Sequence, residues 1–215
     1  MTESIPKALN KFNDRPLLSG ILANLRSLGV PNQDIILVTG YKSELFAHFN
    51  LEMRVNFEWK DTGPFESLLT ANDILEKYES VVIYTDIEFS VDYILPLMSN
   101  QSKIVIPSNM NFLASWGSRS INLLDDLESF KFEGVRLVEI GKRPSSYREV
   151  QGQFAGILKV NPEAWHSLRE IGCSLKNKRL DITSLLSESI DRGIQIEIIP
   201  VYAPWKEFDL PSDFE

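Results

Sequence analysis

Two hydrophobic periodicities alternate along this chain, and that alternation restricts the fold more than any other feature. DIILVTG, residues 34 to 40, is a short unbroken apolar run ending in glycine, the pattern of a strand covered by helices on both faces. Before it, PLLSGILANLRSLG carries Leu18, Ile21, Leu22, Leu25 and Leu28 at helical spacing until Gly29 and Pro31 end the run. After it come YKSELFAHF as a short helix, MRVNFEW as a strand, PFESLLTANDILEKY as a helix and SVVIYTD as a second fully apolar strand. Helical residues 90 to 98 and the strand KIVIP continue the series. This order predicts an α/β fold built on a parallel sheet with right-handed crossovers.

The second half changes character. Residues 108 to 152 are rich in Ser, Asn, Gly and charge, with one strand expected at VRLVEIG, before QFAGILKV returns as a strand. Helices in PEAWHSLREIG and DITSLLSESIDRG, the strand IQIEIIP and the segment WKEFDLPSDFE follow. No repeat, low-complexity tract or linker divides the chain, so a single domain over residues 1–215 is expected.

At 215 residues and 43% hydrophobic content, the chain can bury a substantial core without disulfides or a structural metal. Its one cysteine, Cys173, has no thiol partner, which suits a reducing compartment and a cytoplasmic location. No apolar stretch has the length of a membrane span, and MTESIPKALNK has no signal-peptide run. The net charge of -8 opposes long-range attraction to polyanions, and no basic stripe interleaved with aromatics offsets it, so nucleic acid is not an expected partner. A small anion is another matter, because a few lysines and a divalent cation in one cleft can outweigh a diffuse negative surface.

Ligands of open α/β sheets bind beyond the carboxyl ends of the strands. Asp86 ends the VVIYTD run there, where a carboxylate suits either a Mg²⁺ ligand or a helix cap or turn. Asp209, in WKEFDLPSDF, reads as a cap alone and as a second Mg²⁺ ligand if the fold pairs it with Asp86. Lys7 follows a proline whose restricted backbone can aim its ammonium, although a surface lysine fits the same residues. Gly40 and Gly63 each precede a predicted helix, where amide groups and the helix dipole attract anions, and each also fits an ordinary turn. Lys142 follows a strand and a glycine, in a position to meet a phosphate or simply solvent. His48 and His166 have no triad partners and read as structural or surface residues, while Trp165 and Trp205 read as core.

Taken in order, IPKALNKFNDRPLLSGILANLRSLGV, DIILVTGYKSE, TGPFESLLTA, VVIYTDIEF, EIGKRP, GQFAGILKV, DITSLL and WKEFDLPSDFE resemble the sugar-phosphate and phosphocholine nucleotidyltransferase family, with GQFAGILKV and DITSLL especially like its phosphocholine cytidylyltransferase-like branch. The resemblance implies a Rossmann-like three-layer sandwich with a mostly parallel mixed sheet, of the nucleotide-diphospho-sugar transferase type. It divides the domain into a nucleotide-binding half, residues 1–107, and an acceptor-side half with the metal-ligand segment, residues 108–215. It also implies transfer of a nucleoside monophosphate, with CTP the expected donor, to a small phosphorylated acceptor such as phosphocholine, an aminoalkyl phosphonate or a sugar 1-phosphate. Lys7 matches the lysine of the family's Pro-Lys motif, and Asp86 with Asp209 match its Mg²⁺ aspartates. Gly40, Tyr41, Gly63 and Ser67 match nucleotide-lining positions, while Lys142, Gln153 and Gly156 fall on the acceptor side. A homodimer is one possible assembly, which the sequence itself does not fix.

This sequence departs from the family at its start. Relatives open with an apolar strand and a Gly-rich loop, G-x-G-[ST]-R-[LM], ahead of Pro-Lys, whereas this chain runs MTESIPK. Backbone amides and an arginine of that loop would serve the triphosphate. Two expectations follow: a nucleotidyltransferase whose true start lies upstream of Met1, or a catalytically impaired nucleotide-binding or regulatory domain of the same fold. A glycosyltransferase-like domain is a third reading, opposed by the IPKAL and TGYKSE segments.

Overall fold

The computed structural model describes residues 5–116, 124 and 127–214. The first four residues of MTESIPK and part of the 108–152 region lie outside them. After a 3-10 turn at Lys7–Leu9, a tight hairpin of β1 (Lys11–Phe12) and β2 (Arg15–Pro16) leads into α1 (Leu17–Ser27). Asn13 and Asp14 turn the hairpin with positive φ, which these two residue types tolerate. β3 (Ile36–Thr39) and β4 (Glu52–Val55) follow, then α2 (Pro64–Leu69), α3 (Asn72–Leu75), β5 (Ser80–Ile83), β6 (Ile87–Phe89), α4 (Leu95–Ser99), β7 (Ile104–Asn109) and α5 (Phe112–Trp116). The second half contributes β8 (Phe130–Glu133), β9 (Arg136–Ile140), β10 (Gln153–Phe154), β11 (Ile157–Val160), α6 (Pro162–Leu175), α7 (Ile182–Asp191), β12 (Glu197–Val201) and β13 (Trp205–Glu207).

A mixed seven-stranded sheet runs β5-β11-β7-β12-β9-β8, with β10 also on β7. Among the described residues, parallel pairing is confined to β7 with β12 and to the separate pair β3 with β4; the other ladders are antiparallel. The α/β class expected from the alternation is present, with less parallel pairing than the pattern implied. β7 is the hub, every residue of it buried between β11 and β12.

Local chemistry accounts for the element ends. Asn161 caps α6 by accepting from the Ala164 amide at 2.8 Å, with Pro162 at the first helical position, and Asp181 caps α7 through the Ser184 amide at 2.6 Å. Gly172 lets α6 close on α2, since a Cβ there would lie 2.3 Å from the Phe65 ring. The predicted helix PFESLLTANDILEKY is broken into α2 and α3 at Thr70–Ala71, and QFAGILKV is broken at Gly156, whose φ of +73° no β-strand adopts. YKSELFAHF forms a 3-10 helix, Ser43–Phe49, rather than an α-helix. Trp165 and Trp205 are buried as expected, their indole N–H groups bonded to Asn72 and the Ala155 carbonyl.

The main expectation overturned concerns DIILVTG and SVVIYTD. Both read as strands covered on two faces, yet β3 belongs to a two-stranded pair and β5 ends the large sheet. β5 is only half buried, with Val81 exposed at 37%. No helix of the described residues is long and apolar enough to cross a membrane.

Candidate active site

The β6–β13 ladder brings together two carboxylates far apart in sequence. Ile87 pairs with Glu207, and the amide of Phe208 extends the ladder by donating to the Asp86 carbonyl at 2.9 Å, so Asp209 emerges beside Asp86. Asp86 itself sits where the chain passes from β5 into β6, just after Tyr84, whose amide donates to the Gly156 carbonyl at 2.8 Å. Asp213 fixes the turn after Asp209: its carboxylate accepts from the Asp209 and Leu210 amides, both at 2.8 Å. Lys7 enters from the opposite end of the chain, on the 3-10 turn that Pro6 starts with φ −55° and ψ 146°.

The Lys7 ammonium lies 2.9 Å from Asp86 Oδ2 and 2.7 Å from Asp209 Oδ1. Burial pulls its pKa down, but the charges and hydrogen bonds of Asp86 and Asp209 outweigh that, and the net shift is upward. The other Asp86 oxygen, Oδ1, is buried without a hydrogen-bond partner. An unsatisfied buried carboxylate oxygen is costly, and a carboxylate pair already converged on one cation is the donor set a hard divalent ion takes. Among the described residues no three His, Cys, Asp or Glu side chains form a metal-binding group, so protein alone offers an ion two carboxylates here. That suits Mg²⁺, which keeps waters and phosphate oxygens for its remaining positions.

Lys7 also belongs to the wall of a cavity of about 470 Å³, together with Gly40 and Tyr41. The Gly40 turn is crowded: a Cβ would meet the Trp59 side chain at 2.5 Å, and Tyr41 packs on Trp59 with ring centroids 5.0 Å apart. Sequence-predicted Lys7, Asp86, Asp209, Gly40 and Tyr41 are therefore gathered in one region. Gly63 and Ser67 lie off the cavity wall. Gly63 packs on the backbone of Arg179 and Leu180, where a Cβ would approach to 2.6 Å, and its amide donates to the Lys178 carbonyl. Ser67 Oγ accepts from the side chain of Asn56, a buried residue whose backbone amide donates to the Thr39 carbonyl at the end of β3, so Asn56 links Ser67 to the β3 end of the cavity wall.

The residues expected on the acceptor side, Lys142, Gln153 and Gly156, lie apart from that cavity wall. Gly156 holds a Tyr84 contact, a Cβ there meeting Tyr84 Cβ at 3.2 Å, and Gln153 donates to the Glu128 carbonyl at 2.8 Å. Lys142 is exposed, its amide bonded to Ser129. Four residues that motif reading did not single out are linked to Gly156 and Gln153: Tyr84, Glu128, Asp181 and Thr183. Thr183 Oγ1 bridges Glu128 Oε1 at 3.1 Å and Asp181 Oδ1 at 3.0 Å. Burial pushes the Tyr84 hydroxyl pKa up, reinforced by the charges of Asp86, Asp181 and Glu128, and burial likewise raises that of Glu128. Tyr84, Asp181 and Thr183 lie in the VVIYTDIEF and DITSLL segments that carry the resemblance, whereas Glu128 joins them through long-range packing.

Known proteins resemble the chain in the same sense. Across its whole length it is 22% identical to CTP:phosphoglutamine cytidylyltransferase of Campylobacter jejuni, 92% of which is covered. Its fold matches the inositol-1-phosphate CTP transferase of T. maritima with a TM-score of 0.77 at 16% identity, covering 100% of this chain and 85% of that one. CTP:phosphocholine cytidylyltransferase of Streptococcus pneumoniae matches at 0.73 and 17% identity, covering 99% and 88%. Residues 1–135 match the MobA-like NTP transferase domain, and the chain belongs to that family of nucleotidyltransferases.

Proposed function

We propose that the protein transfers a nucleoside monophosphate from CTP to a small phosphorylated acceptor. The observation that carries this reading is the convergence of Asp86 and Asp209 on one cation position, with Asp86 Oδ1 left unsatisfied. A phosphate oxygen of the acceptor attacks the α-phosphorus of the nucleotide. The new P–O bond forms as the bond to the bridging oxygen breaks, and pyrophosphate leaves with that electron pair. Little covalent work falls to the protein, so positioning and charge neutralisation are its contribution. Asp86 and Asp209 are the residues to hold Mg²⁺, which supplies charge neutralisation to the triphosphate when bound. Lys7 offers a second positive charge to the phosphates, and Gly40 with Tyr41 contact the nucleoside. Preference for CTP draws support from the cytidylyl donors named for the relatives. The Asp181 and Glu128 carboxylates beside Tyr84 favour an acceptor carrying a cationic nitrogen, such as phosphocholine or an aminoalkyl phosphonate, over a sugar 1-phosphate.

Pyrophosphate release from Mg·CTP with each acceptor tests the reading, with Asp86→Asn and Asp209→Asn as paired controls. Release that needs both carboxylates supports it. Binding of CTP with no release from any acceptor replaces it with a nucleotide-binding module.

A further inference from the structure

Trp165 and Trp205 are 1% and 6% exposed, and each indole N–H donates to a protein oxygen. Trp59 differs from both. It is 42% exposed, and among the described residues nothing accepts from its indole N–H. An indole left this open forgoes much of the burial through which tryptophan stabilises a fold.

The ring is nonetheless firmly held. Asn56, only 6% exposed, donates its backbone amide to the Thr39 carbonyl at 2.8 Å and its side-chain nitrogen to Thr62 Oγ1 at 2.8 Å and Ser67 Oγ at 3.0 Å. Its side-chain oxygen accepts from the Glu58 amide at 3.0 Å, and its carbonyl accepts from the Trp59 amide at 3.3 Å. Every polar atom of this one buried residue is engaged in fixing the turn over residues 56–62. Gly40 lets that turn close on the end of β3, and Tyr41 packs against the indole with 55° between the ring planes. Trp59 thereby stands on the wall of the 470 Å³ cavity, together with Lys7, Gly40, Tyr41 and Thr85. That volume falls in the range of small-molecule sites, about 300–1,000 Å³.

We propose that Trp59 is the platform on which the nucleobase lies, an inference that rests on the nucleotide binding proposed above. A base stacks on an indole through its π-face, and a ring already fixed by its turn loses little freedom when the ligand arrives. Lys7 shares the cavity wall, so a nucleotide stacked on Trp59 keeps its phosphates in the region of Asp86 and Asp209. Every base has a π-face, so the indole adds affinity without choosing among bases. Selection of CTP then falls to hydrogen bonds at the base edge, and loss of the ring weakens all nucleotides alike.

The test is titration of the 215-residue chain without acceptor, carrying Trp116→Phe so that the indole signal comes from Trp59 and the two buried tryptophans. CTP should quench the fluorescence, and tripolyphosphate, which has no base, should not. By calorimetry, Trp59→Ala should bind CTP, UTP and ATP more weakly by a similar factor, about 5- to 150-fold for one base on one aromatic ring, with tripolyphosphate affinity unchanged. Trp59→Leu refills the space beside Gly40 without a π-face and should show the same loss, while Trp59→Phe should recover most of the affinity. Absence of quenching by CTP, or native CTP affinity in a folded Trp59→Leu protein, overturns the proposal. An equal fall in tripolyphosphate binding also overturns it, since the cavity itself has then collapsed. So does a change in sedimentation with CTP affinity intact, which assigns the exposed indole to a contact between copies. Stacked CTP that no acceptor turns over sinks the transfer reaction and leaves the platform standing; turnover by Trp59→Leu at an unchanged KM for CTP does the reverse.

Discussion

Replacing Lys7 with methionine should tighten the binding of a divalent cation while it weakens catalysis. In the free protein the ammonium lies between the two carboxylates at 2.9 and 2.7 Å, on the position an ion would take. A fully buried charged hydrogen bond contributes about 1.5–3 kcal/mol and an exposed ion pair about 0.2–1 kcal/mol. The side chains here are 25 to 45% exposed, so the two contacts together oppose an incoming ion by about 1–3 kcal/mol. At 1.4 kcal/mol per factor of ten, Lys7→Met should bind Mn²⁺ roughly 5- to 150-fold more tightly, and mutual repulsion of the unshielded carboxylates adds to the gain. Electron paramagnetic resonance of unbound Mn²⁺, recorded without nucleotide, measures this directly. Pyrophosphate release should fall in the same variant, since the phosphates lose a positive charge. Equal or weaker Mn²⁺ binding by a folded Lys7→Met protein refutes the idea that lysine and metal compete for the aspartates.

The remaining predictions concern the walls of the site. Glu128 has its pKa raised in the folded protein, so its contribution to stability is complete below the unfolded value and is lost as pH rises through the folded one. Glu128→Gln should therefore raise Tm at pH 8 relative to the native chain, a gain that disappears in acid below the ordinary glutamate range; an unchanged difference across that window would contradict the burial argument. Gly156→Ala places a Cβ at φ +73°, at a cost of about 1–2 kcal/mol, and should lower Tm by roughly 2–8 °C in a thermal melt. Gly63→Ala forces a Cβ against the Arg179 and Leu180 backbone and should destabilise the fold by about 1–3 kcal/mol. If chemical denaturation shows no loss while CTP affinity falls, Gly63 contacts the nucleotide rather than packing α2.

What the sequence made legible is local. The helices in PEAWHSLREIG and DITSLLSESIDRG were legible because their apolar residues recur at helical spacing, and Asp86 was locatable because a carboxylate ending an apolar run leaves the sheet at its edge. Asp209 was harder, since its partner is chosen by the β6–β13 register. Asp181 and Thr183 were in view as part of DITSLL, but Glu128 was not, because it meets them through the packing of α7 against the segment before β8. The strand periodicities of DIILVTG and SVVIYTD correctly identified strands but not neighbours. Apolar composition reports what an element can bury, and only the assembled sheet decides whether something covers it.

The Asp213 clip gives the chain's last segment a timing role. Its carboxylate sets the direction of Asp209 by holding two consecutive amides, and Asp209 in turn meets a lysine that was synthesised almost at the beginning. A growing polypeptide can order β7, β11 and α6 well before this happens, yet it carries no paired aspartates until residues 205–213 have left the ribosome and docked. Such distant closures are late events in folding. Forms cut before residue 205 thus keep the β7–β12 ladder and lack the convergence of Asp86 and Asp209 on Lys7.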